Sequence, residues 1–183
     1  MLTVACVLSE GPKRVYNIEH VRRLQDMVTQ YLKRRYHFVC ITDSPYPGWW
    51  AKVSLFEPGR FKGRVLYLDL DVTIVGFLND LALYPAPFVA IKDWLRPTIN
   101  SSVMAWDAGK MDHLFTKFDK SVMDRLKGDQ DWITGQMPKA ETFPRDWCVS
   151  YRKSVKMFGV VPPNAKIVVF HGFPKPWEVP AVV

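Results

Sequence analysis

Apolar residues fall along the chain in short continuous runs separated by polar and turn-forming segments. TVACVL (3–8), HFVCIT (37–42), VLYLDLD (65–71), PFVAI (87–91), SSVMAW (101–106) and KIVVF (166–170) each read as a strand. Between the first two, a loop over SEGPKR leads into a different period. Ile18, Val21, Leu24, Val28, Tyr31 and Leu32 recur three and four residues apart, which predicts a helix over 16–35. Its basic residues Arg22, Arg23, Lys33, Arg34 and Arg35 fall largely off that stripe, as on a solvated face. DSPYPG stops the second strand with turn chemistry. WWAKVSLF (49–56) reads as a short helix, 77–83 as a helical turn, 112–126 as a helix and 129–136 as another short one. Strand, helix, strand with unbroken apolar strands implies a mostly parallel sheet flanked by helices, the α/β class. No repeat, low-complexity tract or linker interrupts the chain, so residues 1–183 read as a single domain.

One run breaks the apolar pattern. VLYLDLDVTIV (65–75) carries Asp69 and Asp71 inside strand-forming residues. In a continuous strand both would point to one face, with Leu68 and Leu70 on the other. Two carboxylates on one face repel and raise each other's pKa unless a cation lies between them, most simply a divalent metal. Mg²⁺ or Mn²⁺ takes such oxygens and shares phosphate oxygens of a substrate. The plainer alternative is two strand-end carboxylates that cap loop amides.

Three further segments carry candidate chemistry. In FHGFPKPWEV (170–179), His171 follows an apolar strand, Gly172 permits close backbone approach, and Lys175 stands between Pro174 and Pro176. A lysine in so stiff a loop is well placed to meet a phosphate, whereas a histidine after a strand is commonly structural. In KGDQDWI (127–133), Asp129 and Gln130 open a helix; Asp129 is either its N-cap or a group that meets sugar hydroxyls or the reacting bond. In INSSVMAW (99–106), Asn100 either closes a turn or faces a ligand.

Composition narrows the class without naming a partner. Hydrophobic residues make up 48% and charged residues 23%, as in ordinary globular proteins. No apolar run approaches the ~20 residues that span a bilayer. MLTVACVLSEG lacks a basic start and a long apolar centre, so it reads as a first strand and not a signal peptide. Three cysteines without a CxxC argue against a disulfide framework or a zinc site and fit a reducing, cytoplasmic setting. The net charge of +7 favours polyanionic ligands such as nucleotide phosphates, nucleic acid or acidic membranes, or serves solubility alone.

Taken in order, VLYLDLDVTIV, INSSVMAW, GDQDWI and AKIVVFHGFPKPW resemble the retaining family 8 glycosyltransferases, including the glycogenin-like enzymes. The resemblance covers about residues 65 to 178, with weaker matches in TVACVLSEG and the following helix. It implies a GT-A fold, a Rossmann-like nucleotide-binding sheet, and a hexosyltransferase that uses a nucleotide sugar, usually a UDP-sugar, with Mn²⁺ or Mg²⁺. By resemblance, Asp69, Asp71 and His171 hold the metal, and Gly172 and Lys175 meet the donor diphosphate. Arg64 stands where relatives often carry a donor-binding lysine. Asn100, Asp129 and Gln130 meet the donor sugar, and Asp129 or Gln130 is the candidate catalytic group. Leu8, Ser9 and Tyr16 lie near the base, with Tyr16 stacked on it. The motif around His171 departs from the family's usual His-Phe-x-Gly order, because here Phe170 precedes the histidine and glycine follows it.

Two other classes compete. A haloacid dehalogenase-like, Mg²⁺-dependent phosphohydrolase also carries a strand ending in DxD, with the first aspartate as nucleophile. That motif normally opens its chain, whereas here a β-α-β unit precedes it, and HGFPKPW stays unexplained. A basic nucleic-acid-binding module would suit the charge, but the basic residues are dispersed and no nucleic-acid motif is present. A mixed version, a glycosyltransferase acting on a hydroxylated base in DNA, rests on charge alone. The acceptor, the donor sugar and the oligomeric state are not legible.

Overall fold

A computed structural model describes residues 1–9 and 15–180. Residues 10–14, most of the loop expected over SEGPKR, lie outside them.

The strands of the central sheet are β1 (Leu2–Val7), β2 (His37–Ile41), β3 (Arg64–Leu68), β5 (Phe88–Lys92), β6 (Ile99–Asp107) and β7 (Glu141–Thr142), in the order β2-β1-β3-β6-β5-β7. β1 runs parallel to β2 and β3, and β5 parallel to β7, while β6 is antiparallel to both of its neighbours. The sheet is therefore mixed, with one reversed strand in an otherwise parallel frame. A second sheet holds β4 (Val72–Ile74), β9 (Ile167–Val169) and β8 (Cys148–Ser150), with β9 in the middle.

Alternation along the strands divides the core. Val4, Cys6, Leu66, Leu68, Val89 and Val103 face α1 (Ile18–Tyr31), which contributes Val21, Leu24 and Val28. Ala5, Val65, Tyr67, Ala90, Met104 and Trp106 face the other way. They pack on a 3₁₀ segment, Gly48–Phe56, and on α3 (His113–Thr116), α4 (Lys120–Arg125) and α5 (Asp129–Gln136). A single turn, α2 (Asn79–Ala82), covers one end of β3.

Local chemistry sets the boundaries that differ from the sequence reading. α1 begins two residues later than expected, because Asn17 caps it by accepting from the amides of Glu19 and His20, while the His20 ring accepts from the Asn17 amide. The helix expected over 112–126 is two helices. Asp119 interrupts it and caps α4, accepting from the Ser121 amide at 2.7 Å. Arg23 is not on a solvated face: it is half-buried and donates to the Val72 carbonyl at 3.0 Å and the Thr73 hydroxyl at 2.9 Å, tying α1 to β4.

The largest difference concerns the run 65–75. β3 stops at Leu68, and 72–74 belongs to the second sheet. The Asp69 amide still donates to the Ser102 carbonyl at 2.9 Å, and the chain then turns. The two-residue alternation does not run through the motif, so Asp69 and Asp71 sit in a crossover between sheets with separate partners.

Candidate functional site

β1, β2, β3 and β5 are aligned, so their carboxyl ends lie along one edge of the central sheet. Leu8 and Ser9 follow β1, Asp69 follows β3 and Asp93 follows β5. The reversed strand β6 starts at this edge, which brings Asn100 and Ser101 to it. Ligands of open α/β sheets bind at this edge.

Asp69 lies on the face of the 3₁₀ segment. Lys52 Nζ is 3.0 Å from its Oδ1 and 3.5 Å from Asp129 Oδ2, and the Tyr67 hydroxyl donates to Asp69 at 2.5 Å. Ser101 donates to Asp129 at 2.6 Å. Asp129 is the first residue of α5 and does not cap it; Gly128 holds the cap position, and the carboxylate is turned inward and buried. Burial pushes the Asp129 carboxyl up, with Asp69 adding to the rise and Lys52 and Ser101 opposing it. Burial also acts against the Lys52 ammonium, but the carboxylates of Asp129 and Asp69 raise its pKa overall.

Asp71 faces the opposite way. Lys175 Nζ donates to its Oδ2 at 2.5 Å and to the Tyr16 oxygen at 2.8 Å, and the Tyr16 hydroxyl donates to Asp71 at 2.8 Å. Asp71 and Lys175 are both 7% exposed. Burial and the nearby Asp69 charge push the Asp71 carboxyl up, against Lys175 and Tyr16. Burial and Asp71 likewise push the Tyr16 phenol up. Lys175 is steadied by its own amide, which donates to Glu178 at 2.7 Å.

His171 stands two residues beyond β9. It shares a 2.6 Å hydrogen bond with the Ser150 hydroxyl through Nε2, and its ring stacks on Trp94 with centroids 5.4 Å apart. Burial and the charge of Arg152 lower its pKa, which favours the neutral ring. Gly172 follows with φ 81°, a left-handed conformation suited to glycine. Asp93 gathers two of the remaining residues. Gln130 donates to it at 3.1 Å and Asn100 at 3.4 Å, and the amides of Leu95 and Arg96 donate to its other oxygen. Burial acts against the Asp93 charge, but these donors outweigh it and hold the carboxyl below its ordinary value. Leu8 and Ser9 line a separate cavity of about 330 Å³ with Thr42, Ser44 and Tyr46.

The expected residues thus fall into linked groups. Tyr16, Asp71 and Lys175 form one hub; Asp69, Asp129 and Lys52 form a second; Asn100, Gln130 and Asp93 form a third. Tyr16 is placed at the Asp71 hub, with its ring edge toward Trp177 at 6.0 Å, and not among the residues lining the Leu8 cavity. Arg64 is placed elsewhere. It opens β3, at the far end from Asp69, and donates to the carbonyls of Ala82, Tyr84 and Ala86 and to Asp107. The cation that reaches the carboxylates from this part of the chain is Lys52, which sequence reasoning missed. Asp93 was missed as well; both sit in apolar runs, WWAKVSLF and FVAIKDW, where one charge in the first and a Lys-Asp pair in the second were the available signals.

Carboxylate oxygens and a neutral imidazole suit Mn²⁺ or Mg²⁺ in kind, and added positive charge would relieve the buried Asp71–Asp69 repulsion. Among the described residues, no three His, Cys, Asp or Glu side chains come together closely enough to hold a metal. Asp69 and Asp71 each face an ammonium, and His171 faces Ser150.

No family model matches the chain, and no curated protein matches it in sequence. Solved structures do match in fold. The glycosyltransferase GlyE of Streptococcus pneumoniae TIGR4 has a TM-score of 0.72 at 14% identity, over 99% of this chain and 57% of GlyE. This chain therefore spans little more than half the length of GlyE. The galactosyltransferase LgtC, solved with donor and acceptor sugar analogs, has a TM-score of 0.66 at 13% identity, over 97% of this chain and 89% of LgtC. A glycosyltransferase involved in glycosylation of the major capsid of PBCV-1 has a TM-score of 0.64 at 13% identity, over 94% of each chain. The chain has the mixed α/β, GT-A-like fold of these glycosyltransferases.

Proposed function

We propose that residues 1–183 form one glycosyltransferase domain, related to the retaining family 8 enzymes. It moves a hexose from a nucleotide sugar, most simply a UDP-sugar, to an acceptor hydroxyl in a cytoplasmic setting. The observation that carries this reading is that two buried ionic groups, Asp71 with Lys175 and Tyr16, and Asp69 with Lys52 and Asp129, flank one turn at a sheet edge of a GT-A-like fold. The fold matches named above are glycosyltransferases, which favours this reading over the haloacid dehalogenase-like alternative. The basic-module alternative leaves these buried ionic groups without a purpose.

The cavity beside Leu8 and Ser9 would take the base. Lys175 would present its ammonium to the donor diphosphate, and Gly172 would let the backbone approach it. Asn100, Asp129 and Gln130 would hold the hydroxyls of the donor sugar. To hold Mn²⁺ or Mg²⁺, Asp69, Asp71 and His171 would have to exchange Lys52, Lys175 and Ser150 for the metal, which when bound would offset charge on the leaving diphosphate. The bond between the anomeric carbon and the diphosphate oxygen breaks, and negative charge grows on that oxygen, which Lys175 would meet by giving up Asp71. The acceptor oxygen then bonds to the same face of the anomeric carbon, and its proton passes to the departing diphosphate. Attack by Asp129 or Gln130 to give a covalent sugar is the other route to retention. Glutamine is a poor nucleophile, so the front-face route is preferred.

A thermal-shift panel tests the reading: UDP, GDP and CDP, each with and without Mn²⁺, on the native chain and on Asp71→Asn. UDP should stabilise the native chain in the presence of Mn²⁺ and lose that effect in Asp71→Asn. Absence of any nucleotide shift, with Mg²⁺-dependent phosphatase turnover, would overturn it.

A further inference from the structure

A cavity of about 490 Å³ opens beside the third group of residues, between the loop after β5 and the segment that joins β7 to β8. It borders the candidate site twice. Asp93, on its wall, is bonded to Gln130, and Trp94, also on its wall, is stacked on His171. The volume suits a sugar or a short glycan. Trp94 and Pro144 offer apolar faces of the kind that pack on a sugar ring.

The charge on this wall is one-sided. Lys92, Arg96 and Arg145 line the cavity, against the single carboxylate of Asp93. Both Asp93 oxygens are already engaged by four donors, so Asp93 has little left to offer a ligand. Arg96 shares Asp131 at 3.3 Å in an exposed pair, which is worth little. The side chains of Lys92 and Arg145 have no hydrogen-bond or ion-pair partner among the described residues. Unpaired cations around a concave, partly apolar wall concentrate anions there.

We propose that this cavity is the acceptor site and that its acceptor is a sugar bearing an anion, either a carboxylate or a phosphate. Lys92 and Arg145 recognise the anion, and the hydroxyl to be glycosylated points toward Gln130. This inference rests on the glycosyltransferase reading and adds the acceptor's class to it.

The test compares three acceptors, methyl glucoside, methyl glucuronide and glucose 6-phosphate, by UDP release from a panel of UDP-hexoses. An acidic acceptor should exceed the neutral one in kcat/KM by about tenfold or more, the scale of one charge-assisted hydrogen bond. The glucuronide and phosphate arms separate the two sources of charge. Arg145→Ala and Lys92→Gln should each bring the acidic-to-neutral ratio toward unity. Two variants on different segments guard against misfolding of one, and their melting temperatures report it. UDP release with equal use of acidic and neutral acceptors would overturn this inference and leave glycosyl transfer standing. Absence of UDP binding and of UDP release with every donor would overturn both.

Discussion

Lys175 Nζ and Asp71 Oδ2 meet at 2.5 Å, although the two residues are 104 positions apart. The pair is almost fully buried and shares its hydrogen bonds with Tyr16. A buried ion pair gives little net stability, because both charges lose water, but removing one partner strands the other. Lys175→Met should therefore destabilise the chain by about 3–5 kcal/mol. Asp71→Leu combined with Lys175→Met should recover most of that. Urea unfolding of the single and double variants measures both quantities; additive losses in the double variant would show that the pair does not act as a unit.

Asp129 carries a charge that the fold disfavours. Its carboxyl is pushed above the ordinary range mainly by burial, so the native state binds its proton more readily than the unfolded chain does. Stability from this group is greatest at low pH and is lost as pH rises toward the raised folded value. Asp129→Asn should then raise the melting temperature at pH 7, with a smaller gain at pH 4, while transfer falls by about 100-fold or more if the carboxylate acts on the donor. A melting temperature that drops at pH 7 would contradict this account.

Removing Lys52 should act on the same carboxylate. The ammonium opposes the rise of the Asp129 pKa, so Lys52→Met should push it higher still. If transfer needs the Asp129 carboxylate, the acidic limb of the pH–rate profile moves to higher pH in Lys52→Met. A limb that stays in place would show that Asp129 does not control it.

Arg64 supports the fold from the end of β3 remote from Asp69. Its guanidinium serves the carbonyls of Ala82 and Ala86, and that of Tyr84, which also accepts from the Ala86 amide. Arg64→Met should cost about 2–4 kcal/mol of stability and leave the dissociation constant of UDP with Mn²⁺ unchanged. A weakened UDP complex would return Arg64 to the donor-binding role that its place in the sequence implied.

His171 offers a separate check on the metal. Replacing it with Phe removes the Ser150 bond but keeps a ring against Trp94. If His171 is a metal ligand, the Mn²⁺ concentration needed for half of the UDP-dependent thermal shift should rise by about tenfold or more. An unchanged midpoint would make the histidine a structural partner of Ser150 and Trp94.

Most strands were legible because unbroken apolar runs carry a strong signal, and β1, β2, β5, β6 and β9 lie where those runs predict them, whereas the short β7 and β8 and the order of the strands in the sheets were not. The end of β3 was not, since VLYLDLDVTIV looks continuous and only tertiary pairing shows that its last part joins β9. α5 matches its expected bounds, yet Asp129 at its start looked like a cap; which way a carboxylate turns depends on Lys52 and Ser101, remote in sequence. Lys52 itself was hidden by an apolar segment. A lone lysine there reads as surface charge until the fold brings two aspartates to it.

Val72 lies opposite Val169 in the antiparallel pairing of β4 with β9, so backbone hydrogen bonds fix how far Asp71 can stand from His171. The chain that leaves at Val75 and returns at Lys166 is closed at its neck, where both the Val75 and Gly76 amides donate to the Lys166 carbonyl. Residues 76–165 hold β5, β6 and α5 and cannot be exchanged, but the closure lets an exposed loop within them lengthen without moving the two ends. Doubling a flexible loop costs only about 0.6 kcal/mol, and the exposed stretch at Gly159–Val160 offers a place for insertion. Lineages could therefore lengthen this stretch to suit new acceptors while the aspartate and histidine ends keep their spacing.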